Sequence, residues 1–169
     1  MPLPPAGTRP ARALLPQELR LDATDRAILG ALAEDARVSN KELAERVGVA
    51  QSTCLTRVRA LRESGVIRGY HADVDPRALG HDLQAMIAIR LQPDARRRMA
   101  SFTDSLVARE EVLEVYFVAG ANDFLVHVAT SSTDELRRFV GEVLNRDPAV
   151  AGTETNLIFE HTRAPGRGA

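Results

Sequence analysis

The sequence predicts an α+β chain. An N-terminal helix-turn-helix unit, winged-helix-like in outline, is followed by a ferredoxin-like βαββαβ domain. Two observations carry this. Apolar residues recur at helical spacing through residues 22–65, with capping residues and glycines at the breaks. Beyond residue 81 the texture changes to β-rich runs separated by two further helical patterns. The expected divisions are a flexible arm over 1–20, the helix-turn-helix over 21–67, and a linker containing a strand over 68–81. The ferredoxin-like domain then spans 82–161 and a flexible tail 162–169.

The arm holds five prolines among Ala, Gly and Arg, a composition that builds no core. Asp22 is the expected N-cap of the first helix, and Asp25 puts negative charge in its first turn. Ile28, Leu29 and Leu32 form its apolar stripe. Ser39 and Glu42 have the spacing of a capping box for the second helix. Leu43, Ala44 and Val47 face inward, and Gly48 tolerates the positive φ of the break. The third helix runs from about Gln51 to Glu63, lined inside by Leu55, Val58 and Leu61 and ended by Gly65.

Val66–Val74 reads as extended, with a turn at Asp75–Pro76. A strand is expected over 82–91. A helix follows from Pro93, with Arg96, Arg97 and Arg98 outside and Met99, Phe102, Leu106 and Val107 inside. Strands over 111–119 and 124–130 flank a turn at 120–123. A helix capped by Ser132 or Thr133 buries Leu136, Phe139, Val140, Val143 and Leu144, and the last strand lies within 150–161. That order is the ferredoxin-like one, an antiparallel sheet with both helices on one face. Met86 and Ala88 oppose Ile87 and Ile89, so both sheet faces carry apolar groups and self-association is expected.

Composition sets limits. Of 169 residues, 44% are hydrophobic but only 4% aromatic, so the cores must be aliphatic. The single cysteine, Cys54, rules out an internal disulfide and a cysteine-based zinc cluster, and it reads as a buried hydrophobe. Four scattered histidines lack ligand spacing, so no metal is expected. No apolar run reaches membrane-span length, which points to a cytoplasmic chain with no membrane partner. Net charge is −1, but residues 1–70 hold 11 basic and 8 acidic side chains, so the positive half is the one with the helix-turn-helix.

The third helix carries the functional chemistry. In a helix-turn-helix the second helix of the pair enters the major groove of duplex DNA. Gln51, Ser52, Thr53 and Thr56 supply amide and hydroxyl groups suited to base edges. Arg57, Arg59 and Arg62 follow as phosphate or guanine contacts. Phosphate loops, nucleophile elbows and metalloprotease motifs are absent from the sequence. No catalytic residue and no cofactor are expected.

Several motifs occur together. The first helix opens Leu21-Asp22-x-x-Asp25-x-x-Ile28-Leu29. The second carries Ser39-Asn40-x-Glu42-Leu43-Ala44-x-x-Val47-Gly48. The third carries Cys54-Leu55-x-Arg57-Val58-x-x-Leu61, then Gly65-Val66-Ile67-x-Gly69-Tyr70, and the hairpin has Gly120-x-x-Asp123-x-x-Val126. This set, from Leu21 to about Glu160, resembles the Lrp/AsnC, or feast/famine, family of transcriptional regulators. The resemblance implies sequence-specific DNA binding, dimers formed through the sheets, assembly of four dimers into an octamer, and an amino-acid effector held between dimers. It places the effector near Gly120, Asn122, Asp123, Thr153 and Thr155, with Val115 or Tyr116 from a neighbour. Asp123 is the expected acceptor for the ligand ammonium, with threonine hydroxyls and the Gly120 N–H for its carboxylate.

The chain departs from the family pattern in two places. Ala50 stands where many members have a capping Ser, so Ser52 becomes a candidate cap and the helix start is expected to shift. Ala121 and Asn122 occupy a turn that often carries a further acidic or aromatic residue. Two alternatives remain. One is a sirohaem-decarboxylase-like enzyme of the same fold, using His127. The other is an amino-acid sensor acting on protein partners only. The arginine-bearing helix favours DNA over the enzyme, and a gel shift with the chain's own upstream region separates the sensor from a regulator.

Overall fold

The computed structural model describes residues 20–95 and 99–162. The expected arm and tail, apart from Arg20 and Thr162, lie outside the described residues, as do Arg96, Arg97 and Arg98. The chain divides into two compact units, described here as residues 20–72 and 73–162.

The first unit is three helices: α1 Ala23–Glu34, α2 Asn40–Val47 and α3 Gln51–Glu63. α1 starts with a complete capping box. The Asp22 carboxylate accepts the Asp25 N–H at 2.8 Å, and the Asp25 carboxylate accepts the Asp22 N–H at 3.1 Å. At α2 only half of the expected box forms. Ser39 Oγ accepts the Glu42 N–H at 3.2 Å, but the Glu42 carboxylate turns to Arg46, one helical turn on, at 2.8 Å. Gly48 ends α2 at φ 71°, the left-handed value that favours glycine.

α3 begins at Gln51, and Ala50 makes no side-chain cap. The expected shift of the helix start toward Ser52 does not occur. Ile28, Leu43, Ala44, Cys54 and Leu61 form the buried core, with Val58 packed against it. Leu55 is half exposed, contrary to expectation. Cys54 takes the inward place because it lies one turn from Val58 and two turns from Leu61, whereas Leu55 is rotated toward solvent. Burial pushes the Cys54 thiol pKa up, which disfavours the reactive thiolate.

The expected strand in the linker is absent: residues 66–74 form no ladder among the described residues. A short 3₁₀ turn, Pro76–Leu79, follows, capped by Asp75.

The second unit holds β1 Leu83–Leu91, α4 Met99–Val107, β2 Val112–Phe117, β3 Phe124–Thr130, α5 Thr133–Arg138 and β4 Val150–Ile158. α5 continues as a wider π-helical stretch, Phe139–Leu144, and Ser132 provides its cap by accepting the Glu135 N–H. The sheet order is β2-β3-β1-β4, antiparallel throughout, as a ferredoxin-like fold requires.

Residues opposite one another across antiparallel strands share a face. Ala85, Ile87 and Ile89 pair with Val128, Val126 and Phe124, and this face packs on Phe102, Leu106, Leu136 and Phe139 of the helices. Val107 proves exposed, because α4 turns only Phe102 and Leu106 fully inward. The other sheet face carries Met86, Ala88, Leu125, His127 and Tyr116, and neither helix covers it.

Truncating Ile28, which is fully buried in the small first core, tests that core's dependence on single side chains. Ile28→Ala is expected to cost about 2–5 kcal/mol. A loss below about 1 kcal/mol in urea denaturation would show that the three-helix unit does not rely on this contact.

Candidate DNA interface and effector loop

Gln51, Ser52, Thr53, Thr56, Arg59 and Arg62 are all exposed on α3. Ser52, Thr56 and Arg59 fall on successive turns of one outward stripe. Thr56 Oγ1 donates to the Ser52 carbonyl at 2.9 Å, which leaves its lone pairs outward. Arg59 makes no ion pair among the described residues. Arg62 sits over the Tyr70 ring, 6.0 Å from its centroid, a distance at which a guanidinium is attracted to the aromatic face. Half-exposed Leu55 flanks the same surface and offers an apolar group of the kind that meets a thymine methyl. Sequence periodicity missed it by assigning Leu55 to the core.

Arg57 has ion-pair partners within the fold. Its Nη1 lies 2.7 Å from Asp22 Oδ2 and 2.9 Å from Asp25 Oδ1. The guanidinium is thus held by both carboxylates at the start of α1 rather than presented outward. The Asp22 pKa is lowered, first by the hydrogen bond from the Asp25 backbone and then by Arg57. The first turn of α3 has a second anchor, since Asn40 Nδ2 donates to the Gln51 carbonyl at 3.1 Å. The expected Asp22 cap is present, but the grip on Arg57 is a separate matter. No local signal connects the cap to a residue more than thirty positions away.

The effector candidates are dispersed over the sheet. Gly120, Asn122 and Asp123 share the β2–β3 loop, where Gly120 adopts φ 146°, a conformation that side chains disfavour. Asp123 is buried. Its Oδ2 accepts the Leu91 N–H at 2.8 Å, just past the last β1–β3 pair, Ile89–Phe124. This carboxylate therefore completes the end of the strand, a duty that competes with holding a ligand ammonium. Thr153 and Thr155 do share a face, opposite Ile89 and Ile87, but β1 separates them from the loop. Thr153 Oγ1 donates to Asn145 Oδ1 at 3.0 Å. Val115 and Tyr116 point to opposite faces of β2. One copy of the chain does not gather these seven residues around a single ligand.

His127, the residue an enzymatic reading would use, is buried and lies 3.0 Å from Gln84 Oε1 through its Nε2. Tyr116 donates to Glu114 beside it. Among the described residues no helix is long and apolar enough to cross a membrane.

Comparison with known proteins follows the same division. Residues 21–68 match a family described as winged helix-turn-helix DNA-binding, and residues 84–165 match the Lrp/AsnC ligand binding domain. The HTH-type transcriptional regulator AldR of Mycolicibacterium smegmatis is 54% identical over 151 residues, 88% of each chain. The crystal structure of MtbAldR superposes with a TM-score of 0.78 at 46% identity, covering 89% of this chain and 100% of that one. A Neisseria meningitidis transcriptional regulator in complex with L-Met gives 0.78 at 30% identity, covering 86% and 94%.

Two outcomes are expected from this geometry. Asp123→Ala strands a buried N–H and is expected to cost about 1–3 kcal/mol in chemical denaturation; an unchanged midpoint would return Asp123 to the ligand role. Asp22, whose folded pKa is depressed, contributes stability above its unfolded pKa that is lost as pH falls through the folded one. The wild type is therefore expected to lose more stability on acidification than Arg57→Met. Parallel melting-temperature curves for the two proteins would contradict this.

Proposed function

Because the chain belongs to the Lrp/AsnC family of DNA-binding transcriptional regulators, we propose that it reads a specific operator through α3 and answers to an amino acid bound between copies of its second unit. The observation that carries the DNA reading is the exposed stripe of Ser52, Thr56 and Arg59 on a helix whose other side is buried. Gln51, Thr53 and Arg62 flank that stripe, and Leu55 joins them. Hydroxyl and amide groups select bases, while Arg59 neutralises phosphate.

A dimer supports this role in two ways. It doubles the modest positive charge of the first unit, and it sets two recognition helices about 34 Å apart on one side of the duplex. The sheet face bearing Met86, Ala88 and Leu125 is the surface offered to a second copy, and an octamer of four dimers is the assembly the family suggests.

The effector reading rests on the Neisseria relative, which is in complex with L-Met, and on the shape of the β2–β3 loop. In this reading Gly120 and Asn122 present backbone and amide donors for a carboxylate, Thr153 and Thr155 add hydroxyls, and Val115 or Tyr116 comes from a neighbouring copy. Asp123 shapes the loop. Effector binding alters DNA affinity only as far as it prefers one assembly over another.

A gel shift with the chain's own upstream DNA against random duplex tests the first part. Preference for the upstream duplex is expected, and equal affinity for both would refute it. Arg59→Ala is expected to weaken binding to every duplex and reduce the salt slope by about 1. For the second part, L-methionine at about 100 times its Kd would add about 2.7 kcal/mol of apparent stability. A flat thermal-shift response across the twenty amino acids would end the effector reading.

A further inference from the structure

The two carboxylates that cap α1 are used twice. Asp22 Oδ1 takes the Asp25 N–H, and Asp22 Oδ2 takes Arg57 Nη1. Asp25 Oδ2 takes the Asp22 N–H, and Asp25 Oδ1 takes the same Nη1. All four oxygens are engaged, one pair closing the helix cap and the other gripping α3. Resting on the DNA-reading function above, we propose that Arg57 is a positioning residue, which sets the angle at which α3 presents Ser52, Thr56 and Arg59 and does not itself contact DNA.

Three further observations support this. First, α3 has no side-chain N-cap of its own, because Ala50 cannot supply one. Its orientation depends on ties to its neighbours: Asn40 at the first turn and Arg57 in the middle. Second, Arg57 lies between the core-facing Cys54 and Leu61 side of the helix and its outward stripe, and only a third of its side chain is exposed. Third, moving the guanidinium to a phosphate would leave two adjacent carboxylates without their cation beside a polyanion. The exchange sacrifices two short charge-assisted bonds for one and adds like-charge repulsion.

A contact and a tether differ in what they do to salt dependence. A lost phosphate contact lowers affinity for all duplexes and reduces the salt slope by about one. A lost tether misaligns the reading face, so preference for the right sequence falls while non-specific attraction and slope stay as they were. Asparagine also caps helices well, so the Asp22→Asn, Asp25→Asn variant keeps the cap and removes the grip.

The experiment uses the full-length chain and a duplex that the wild type itself enriches from a random pool. Kd is measured against that duplex and a scrambled one at several salt concentrations, well below each variant's melting temperature. Arg57→Ala is expected to reduce the specific-to-scrambled ratio on the order of tenfold, with the slope unchanged. The paired asparagine variant is expected to lose the ratio to a similar extent, and combining it with Arg57→Ala should add little, as for groups acting as one unit. Arg57→Lys should rescue only partly, since a single ammonium fits two carboxylates less well.

A slope reduced by about one in Arg57→Ala would overturn the proposal. So would an asparagine variant that binds the selected duplex as well as the wild type or better, which is the result if its release frees Arg57 for DNA. If Arg57→Ala fails to fold, the asparagine variant makes the same decision alone. Failure of the wild type to enrich any duplex would instead strike at the DNA-reading function.

Discussion

The geometry of the first unit depends on one ion cluster. Two aspartates at the mouth of α1 hold the guanidinium of Arg57 on α3 at 2.7 and 2.9 Å. The hydrophobic core beneath has five buried side chains, two of them as small as alanine and cysteine, with ten partly buried ones packed around them. The hydrophobic effect that drives this burial is itself non-directional. A planar guanidinium shared by two fixed carboxylates is directional. It adds a directional tie between α1 and α3 to the packing of the core, on a helix that must meet base edges.

The second unit solves a comparable problem with another carboxylate. β1 extends beyond its last pairing with β3, and the Leu91 N–H would otherwise end without a partner on that side. Asp123 turns in from the hairpin to accept it, while its own N–H donates to the Ile89 carbonyl. The loop that carries Gly120 and Asn122 is therefore anchored to the central strand of the sheet. A loop so held can present ligand-binding donors in a defined geometry, and a ligand that shifts it must act on β1 as well.

The two faces of the sheet differ in what covers them. Both helices crowd one side, where Ile87, Ile89, Val126 and Val128 are fully buried. On the other side Met86, Ala88 and Leu125 stand beside the polar group of Gln84, Glu114, Tyr116 and His127. An apolar strip with an ordered polar border resembles the centre and rim of a protein interface.

Element types and order were legible in the chain because each rests on local rules. Gly48 and Gly65 mark helix ends, Ser132 marks a start, and strict 3.6-residue spacing separates α4 and α5 from the strands. The outward Ser52, Thr56 and Arg59 were legible for the same reason. The outward place of Leu55 and the bonds that Arg57 and Asp123 make within the fold were not legible, and each for a stated cause. Arg57 and Asp123 take partners more than thirty residues away, and Leu55 exchanges its place with Cys54 by one step of helical rotation. By itself the sequence determined the helices and strands of the two units, though not the unpaired linker, and which helix carries the polar face, since propensity, capping and periodicity act over a few residues. Only the tertiary structure decided which charges point outward and which are consumed inside the fold, because a carboxylate chooses its cation by distance in space.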